Sequence, residues 1–342
     1  MRETGQAQGR PGIARRGARR LHARRRIAPL AFAIFISASA ASLVASAQVG
    51  GKGVREGADE SPVARAASAV CAERALDPRG SVPIDEMQER PSLPARNAEV
   101  VAGAARAARL LPLAKALTEE TLERLMSENG VGFAARRAAV ERVEEVERVR
   151  LEVPLRDNAS VVYGDPHSIR FGTIFVASLK SDEGMVSVMA HELTHAADGA
   201  RGTLAPLFRR VARRAEQEAG LRQVSARRAE ELTCDFVGVL AARLYIARNE
   251  TEEPLARRAA RAVEHNCVEQ DETDAAHLSP RQTLRALLSL DQTLAGEVTG
   301  EIETETAATL NHIEPRTAYA APRSARIAQS RAARAPAHRH AP

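Results

Sequence analysis

From Ser181 the chain reads as a helix of about four to five turns that is apolar on most of its faces, yet it carries the run His191-Glu192-Leu193-Thr194-His195. Ser181 followed by Asp182 and Glu183 is an N-cap with acids that complement the helix dipole. Met185, Val186, Val188, Met189 and Leu193 supply the apolar faces, so the helix belongs inside the fold. Burying two imidazoles and a carboxylate without partners is costly. Any fold for this chain must therefore bring polar groups to this helix. Residues i and i+4 share a helical face, so the two imidazoles can converge on one Zn²⁺. Glu192, about 100° round the helix, can reach a water beside the metal. The alternative is a pair of hydrogen-bonded core histidines.

Catalytic zinc takes three protein ligands and leaves one position for water. Downstream, Arg228-Ala-Glu230-Glu231-Leu-Thr-Cys234-Asp235-Phe-Val-Gly238 supplies candidates. On a helix Glu231, Asp235, Gly238 and Ala242 form one stripe of two carboxylates and two small residues. Leu232, Phe236, Val237, Leu240, Leu244 and Tyr245 do the packing. Such a stripe suits a helix pressed against the first one, with Glu231 as third ligand. Asp235 would hydrogen-bond a ligand imidazole and fix its tautomer. Glu230 competes for the ligand role, but its i+4 partner is Cys234. An exposed Glu-Glu pair at a helix start is the other reading.

HExxH followed by Glu-x-x-x-Asp-x-x-Gly resembles the gluzincin metallopeptidases of the CaaX-prenyl-protease and HtpX-like family. Asn158-Ala-Ser-Val-Val-Tyr-Gly-Asp-Pro-His-Ser-Ile-Arg-Phe-Gly172-Thr173-Ile174-Phe175-Val176 is similar to the segment that precedes the zinc helix there. His277-Leu-Ser279-Pro280-Arg-Gln-Thr-Leu-Arg285 is similar to the family's S-x-H-P…R element. The likeness covers roughly residues 100–295. It implies an α+β fold, mainly helical, with a small sheet edging the cleft. It also implies that Gly172–Val176 is the strand against which an extended substrate pairs. The interval from His195 to Glu231 is short for the family, the His-Pro dipeptide is interrupted, and the multiple membrane spans of its best-known members are absent.

Residues 1–26 hold nine arginines and one acid, net +8, and Ile27–Ala47 is an Ala/Ser-rich apolar stretch ending Ala45-Ser46-Ala47. That is a secretory signal peptide over 1–47, or an uncleaved anchor, which would be the chain's one tie to a membrane. The export route points to the periplasm or the extracellular space. Against a total of +5, residues 27–342 carry −3. A basic Pro/Ala-rich tail over 301–342, without aromatic interleaving, reads as disordered and not as a nucleic-acid module. Cys71, Cys234 and Cys267 allow one disulfide in an oxidising compartment. A Cys234–Cys267 bridge would pin two site elements together, and a buried free Cys234 is equally compatible.

Residues 48–97 are rich in Gly, Pro and charge and read as a flexible lead-in to a single domain over 98–300. Helices are expected at Val100–Leu117, Glu119–Asn129, Phe133–Val149, Ala205–Leu221 and Arg281–Leu294. Val161–Tyr163 and Thr173–Val176 read as strands, and His167 as a turn residue. Few aromatics and no Trp imply an Ala/Leu/Val core of packed helices. The expected chemistry is hydrolysis of extended polypeptide by one Zn²⁺ per chain. His191, His195 and Glu231 would be ligands, Glu192 the general base, and His277 a donor to the oxyanion. The rival readings are a zinc-binding, chaperone-like or scaffold protein on the same fold, and an envelope structural factor without metal.

Overall fold

The computed structural model describes residues 61–162, 165–268 and 275–301. The expected signal segment at 1–47 and nearly all of the basic tail lie outside them. In chain order the elements are α1 (Pro62–Leu76), α2 (Ile84–Glu89), α3 (Ala98–Glu128), α4 (Phe133–Glu145), β1 (Arg148–Leu151), β2 (Ala159–Val162), β3 (Asp165–Phe171), α5 (Thr173–Ser178), α6 (Asp182–Asp198), α7 (Ala205–Glu218), α8 (Ala226–Arg248), α9 (Leu255–Arg261), α10 (Pro280–Leu290) and α11 (Gln292–Thr299). The fold is α+β and mainly helical, with one small sheet of strand order β1-β3-β2. β1 runs parallel to β3 and β2 antiparallel to it.

Helix α6 is central because its sequence leaves it no exposed face: fourteen of its seventeen residues are buried. Ser181 Oγ accepts the Gly184 amide at 3.1 Å and starts it. Gly199, at φ +60°, ends it, and the Arg142 guanidinium from α4 donates to the Ala197 and Asp198 carbonyls. Helix α8 packs along α6 at a distance only glycine permits. A Cβ at Gly238 would lie 2.5 Å from the Ser187 carbonyl oxygen.

At the start of α6, Glu183 pairs with Arg258 at 2.7 Å. Arg261 reaches Asp77 at 2.5 Å and Glu253 at 2.7 Å. Both arginines are buried, so α9 feeds cations into the core, linking the C-cap of α1 to α6.

Several expectations change. The 48–97 lead-in contains α1 and α2. Ser61 caps α1, Pro62 starts it, Ala66 and Val70 are buried, and a Cys71–Cys267 disulfide fixes it. Two small inward residues give α1 almost no apolar periodicity to read. The bridge takes Cys267 away from Cys234, which is free and buried. Thr173–Val176 is not a strand: Gly172 caps helix α5 there, with the Ile174 and Phe175 amides donating to the Arg156 carbonyl. The two helices expected between Val100 and Asn129 are one, in which the buried Thr118 hydroxyl bonds back to the Ala114 carbonyl. The helix expected to reach Val149 stops at Glu145, and the alternating Arg148-Val-Arg-Leu joins the sheet. His167 lies in β3, not a turn. Asp291 divides the last helix by capping α11 through the Leu294 amide.

Candidate metal centre

Three nitrogen and oxygen atoms converge between α6 and α8. His191 Nε2 lies 3.1 Å from His195 Nε2. Glu231 Oε2 lies 3.5 Å from the first and 3.4 Å from the second. A tetrahedral ion with ligand distances of about 2.0–2.2 Å sets its donors about 3.3–3.5 Å apart. Both edges to Glu231 match that spacing, and the edge between the two imidazoles is about 0.2 Å shorter. The residues present fit the group.

Each imidazole is held from behind by a carboxylate. Asp235 Oδ1 lies 2.8 Å from His191 Nδ1, and Glu230 Oε1 lies 3.0 Å from His195 Nδ1. A carboxylate only accepts, so each Nδ1 donates, and in a neutral ring the lone pair is then left on Nε2, the nitrogen on the side of the centre. Periodicity assigned Asp235 this role. Glu230 was read only as a rival ligand, although it does for His195 what Asp235 does for His191. Adjacent residues point about 100° apart, which lets Glu230 and Glu231 reach opposite sides of the same imidazole.

Cys234 is a third soft donor nearby, with Sγ 3.7 Å from His195 Nδ1. His191, His195 and Cys234 each offer a ligand atom within 4.8 Å of the others and so form a second group able to hold a metal, although the nitrogen nearest the thiol is the one that faces Glu230. Burial pushes its thiol up against the pull of the two imidazoles. Burial pulls both imidazoles down. Against it, Asp235 and Glu231 hold His191 well above its usual range, and Cys234, Glu230 and Glu231 do the same for His195. Burial also opposes ionisation of Glu231, but the two imidazoles hold its carboxyl well below the usual range.

Glu192 is buried beside the triangle. Burial raises its carboxyl against the pull of both histidines and a hydrogen bond from the Val161 amide. The Gly172 amide donates to the Asn158 carbonyl, so Asn158 faces β3 and, by antiparallel alternation, Val161 turns its polar groups the other way. The free edge of β2 thus lies over Glu192. This edge, not Gly172–Val176, is the strand available beside the site; of those five residues Phe175 alone lines the cleft.

The cleft measures about 670 Å³. α2 and the 155–158 turn form one end, and His265, Asn266 and His277 form another wall. His277 Nε2 is 3.7 Å from Glu231 Oε2 with its side chain 56% exposed. It reaches the site but is not buried in it. Ser279 and Gln282 form a capping box at the start of α10, so the Ser-Pro pair that follows His277 is a helix start. Sequence reasoning missed His265, whose imidazole burial pushes down towards the neutral form; no periodicity marks a residue in so short a turn. Among the described residues no helix is long and apolar enough to cross a membrane. The chain matches no protein-family profile, no curated protein and no solved structure.

Proposed function

We propose that the protein is an exported zinc-dependent endopeptidase of zincin type that hydrolyses extended or unfolded polypeptides. The observation that carries the reading is the triangle of His191 Nε2, His195 Nε2 and Glu231 Oε2 with the buried Glu192 at its side. Bound there, Zn²⁺ supplies Lewis acidity and brings the pKa of a coordinated water towards neutrality. Asp235 and Glu230 hold the two imidazoles in the tautomer that ligates. Glu192, raised by burial, accepts a proton from the attacking water and returns it to the leaving amine. The free edge of β2 offers backbone groups to an extended chain. His277 is close enough to donate to the developing oxyanion.

The test measures zinc stoichiometry and cleavage of an unfolded protein, with and without chelator. Glu192→Gln is expected to keep one zinc per chain and lose about 10²–10⁴-fold in rate. Purified protein without metal, or Glu192→Gln at full rate, overturns the proposal. Zinc binding with retention of unfolded chains and no products would assign the fold to holding rather than cutting.

A further inference from the structure

We propose that the centre has a second donor set, in which Cys234 joins His191 and His195 to take a soft, thiophilic ion such as Cd²⁺ or Cu⁺. The inference rests on the metal centre of the reading above and not on peptide cleavage, and it adds a way to shut that centre. On a helix, residues four apart share a face and neighbours stand about 100° apart. Helix α8 therefore carries two adjacent stripes beside the imidazoles of α6. Glu231 and Asp235 make one, with oxygen donors only; Glu230 and Cys234 make the other and bring a sulfur. Glu231 faces Nε2 of both rings, whereas Glu230 and Cys234 meet at His195 Nδ1, at 3.0 Å and 3.7 Å. A tetrahedral ion with sulfur at about 2.3 Å and nitrogen at about 2.0–2.1 Å sets those two donors about 3.5–3.6 Å apart. The sulfur and Nδ1 stand close to that spacing, and a ligand atom of His191 lies within 4.8 Å of both.

A neutral imidazole has one lone pair to give. While Nδ1 donates to Glu230, His195 serves the triangle with His191 and Glu231 from Nε2. To serve the sulfur it carries its proton on Nε2 and gives the lone pair of Nδ1. The two arrangements exclude each other, so an ion on the sulfur side takes one of its three donors from the triangle. Binding exchanges the sulfur–hydrogen bond of Cys234 for a sulfur–metal bond and releases that proton to water. Thiolate favours soft ions and carboxylate harder ones. Zn²⁺, which is borderline, keeps the oxygen of Glu231, and a softer ion takes the sulfur of Cys234. A thiophilic ion thus shuts the centre by a change of donors within one pair of helices.

Cys71 and Cys267 are bridged, so Cys234 is the chain's one free thiol, and any sulfur–metal absorption reports it alone. Full-length protein with the bridge intact is stripped by a chelator, which is then removed, and is titrated with Cd²⁺ while the ultraviolet sulfur-to-cadmium charge-transfer band is followed. The band should saturate at about one ion per chain, with release of a proton. It should be absent in Cys234→Ser, whose preference for Cd²⁺ over Zn²⁺ should fall about tenfold. Glu231→Gln should weaken Zn²⁺ binding and keep the band, which tells the two donor sets apart. Cd²⁺ bound by wild-type protein without the band overturns the proposal, a result that depends on no variant folding. A preference unchanged in Cys234→Ser overturns it as well. Protein that takes up Zn²⁺ and cuts peptide but shows no band overturns this proposal alone. The band in protein that cuts nothing supports the second donor set and counts against the peptidase reading. Binding of neither ion overturns both.

Discussion

The two ends of α6 bury the same kind of group and neutralise it in different ways. At the first turn, Glu183 meets guanidinium groups that the chain itself brings in, Arg258 and Arg261, and Arg261 also engages Asp77 and Glu253. At the last turns, Glu230, Glu231 and Asp235 surround two imidazoles, with Glu192 alongside. A buried ion pair is complete as it stands; a cluster of carboxylates around two imidazoles is not. The difference teaches where the fold supplies its own counter-charge and where, on the function proposed above, it leaves a place for a cation. The imidazoles can answer the charge with protons or with a metal, and only the metal leaves both Nε2 atoms turned inward as ligands.

The largest way to break the comparison is Arg261→Ala, which strands Asp77 in the core. It should cost about 3–5 kcal/mol in urea unfolding while zinc stoichiometry in the folded fraction stays the same. Gly238→Ala comes next, at about 1–3 kcal/mol, since the new Cβ meets the Ser187 carbonyl between the two clusters. Because it parts α8 from α6, it should weaken both stability and zinc affinity; an effect on stability alone would show that the metal end tolerates the shift. Asp235→Asn and Glu230→Gln should each lower zinc affinity about 10–100-fold by competition titration, with little change in stability at the other end. If Glu230→Gln leaves affinity untouched, the support of His195 is not symmetric with that of His191.

The smallest effect is in acid. Burial pushes the Asp77 carboxyl up, but its bond to Arg261 outweighs this and holds it below the usual range. A carboxyl lowered in the folded state contributes stability fully present above its unfolded pKa of about 3.9. That contribution is lost as pH falls through the folded value. The stability gap between wild type and Asp77→Asn should therefore be level from neutral pH down to about 4 and close below it. A gap that widens in acid would contradict the assignment.

The candidate site was legible because helical period carries it. Ser181, the apolar faces of α6 and the Glu231/Asp235/Gly238 stripe place the two imidazoles, Glu231 and Asp235 on facing helices from spacing alone. The opposite end was not. Arginines on a helix are read as solvent-facing, and nothing local distinguishes Arg258 and Arg261 from the other arginines in the chain; their burial depends on Glu183 and Asp77, far away in sequence. Thr173-Ile-Phe-Val176 has the β-branched and aromatic content of a strand, yet Gly172 and the Arg156 carbonyl start a helix there. Arg148-Val-Arg-Leu carried the opposite signal, a period of two that was absorbed into the charged helix before it.

The Cys71–Cys267 bridge joins residues 196 positions apart. Closing a loop of that length removes roughly 5 kcal/mol of chain entropy from the unfolded state, against a net stability of about 5–15 kcal/mol for an ordinary domain. With Cys71 and Cys267 reduced the chain lacks that contribution and is held near the margin of folding, so the redox state of one pair of thiols decides how firmly the whole domain holds together.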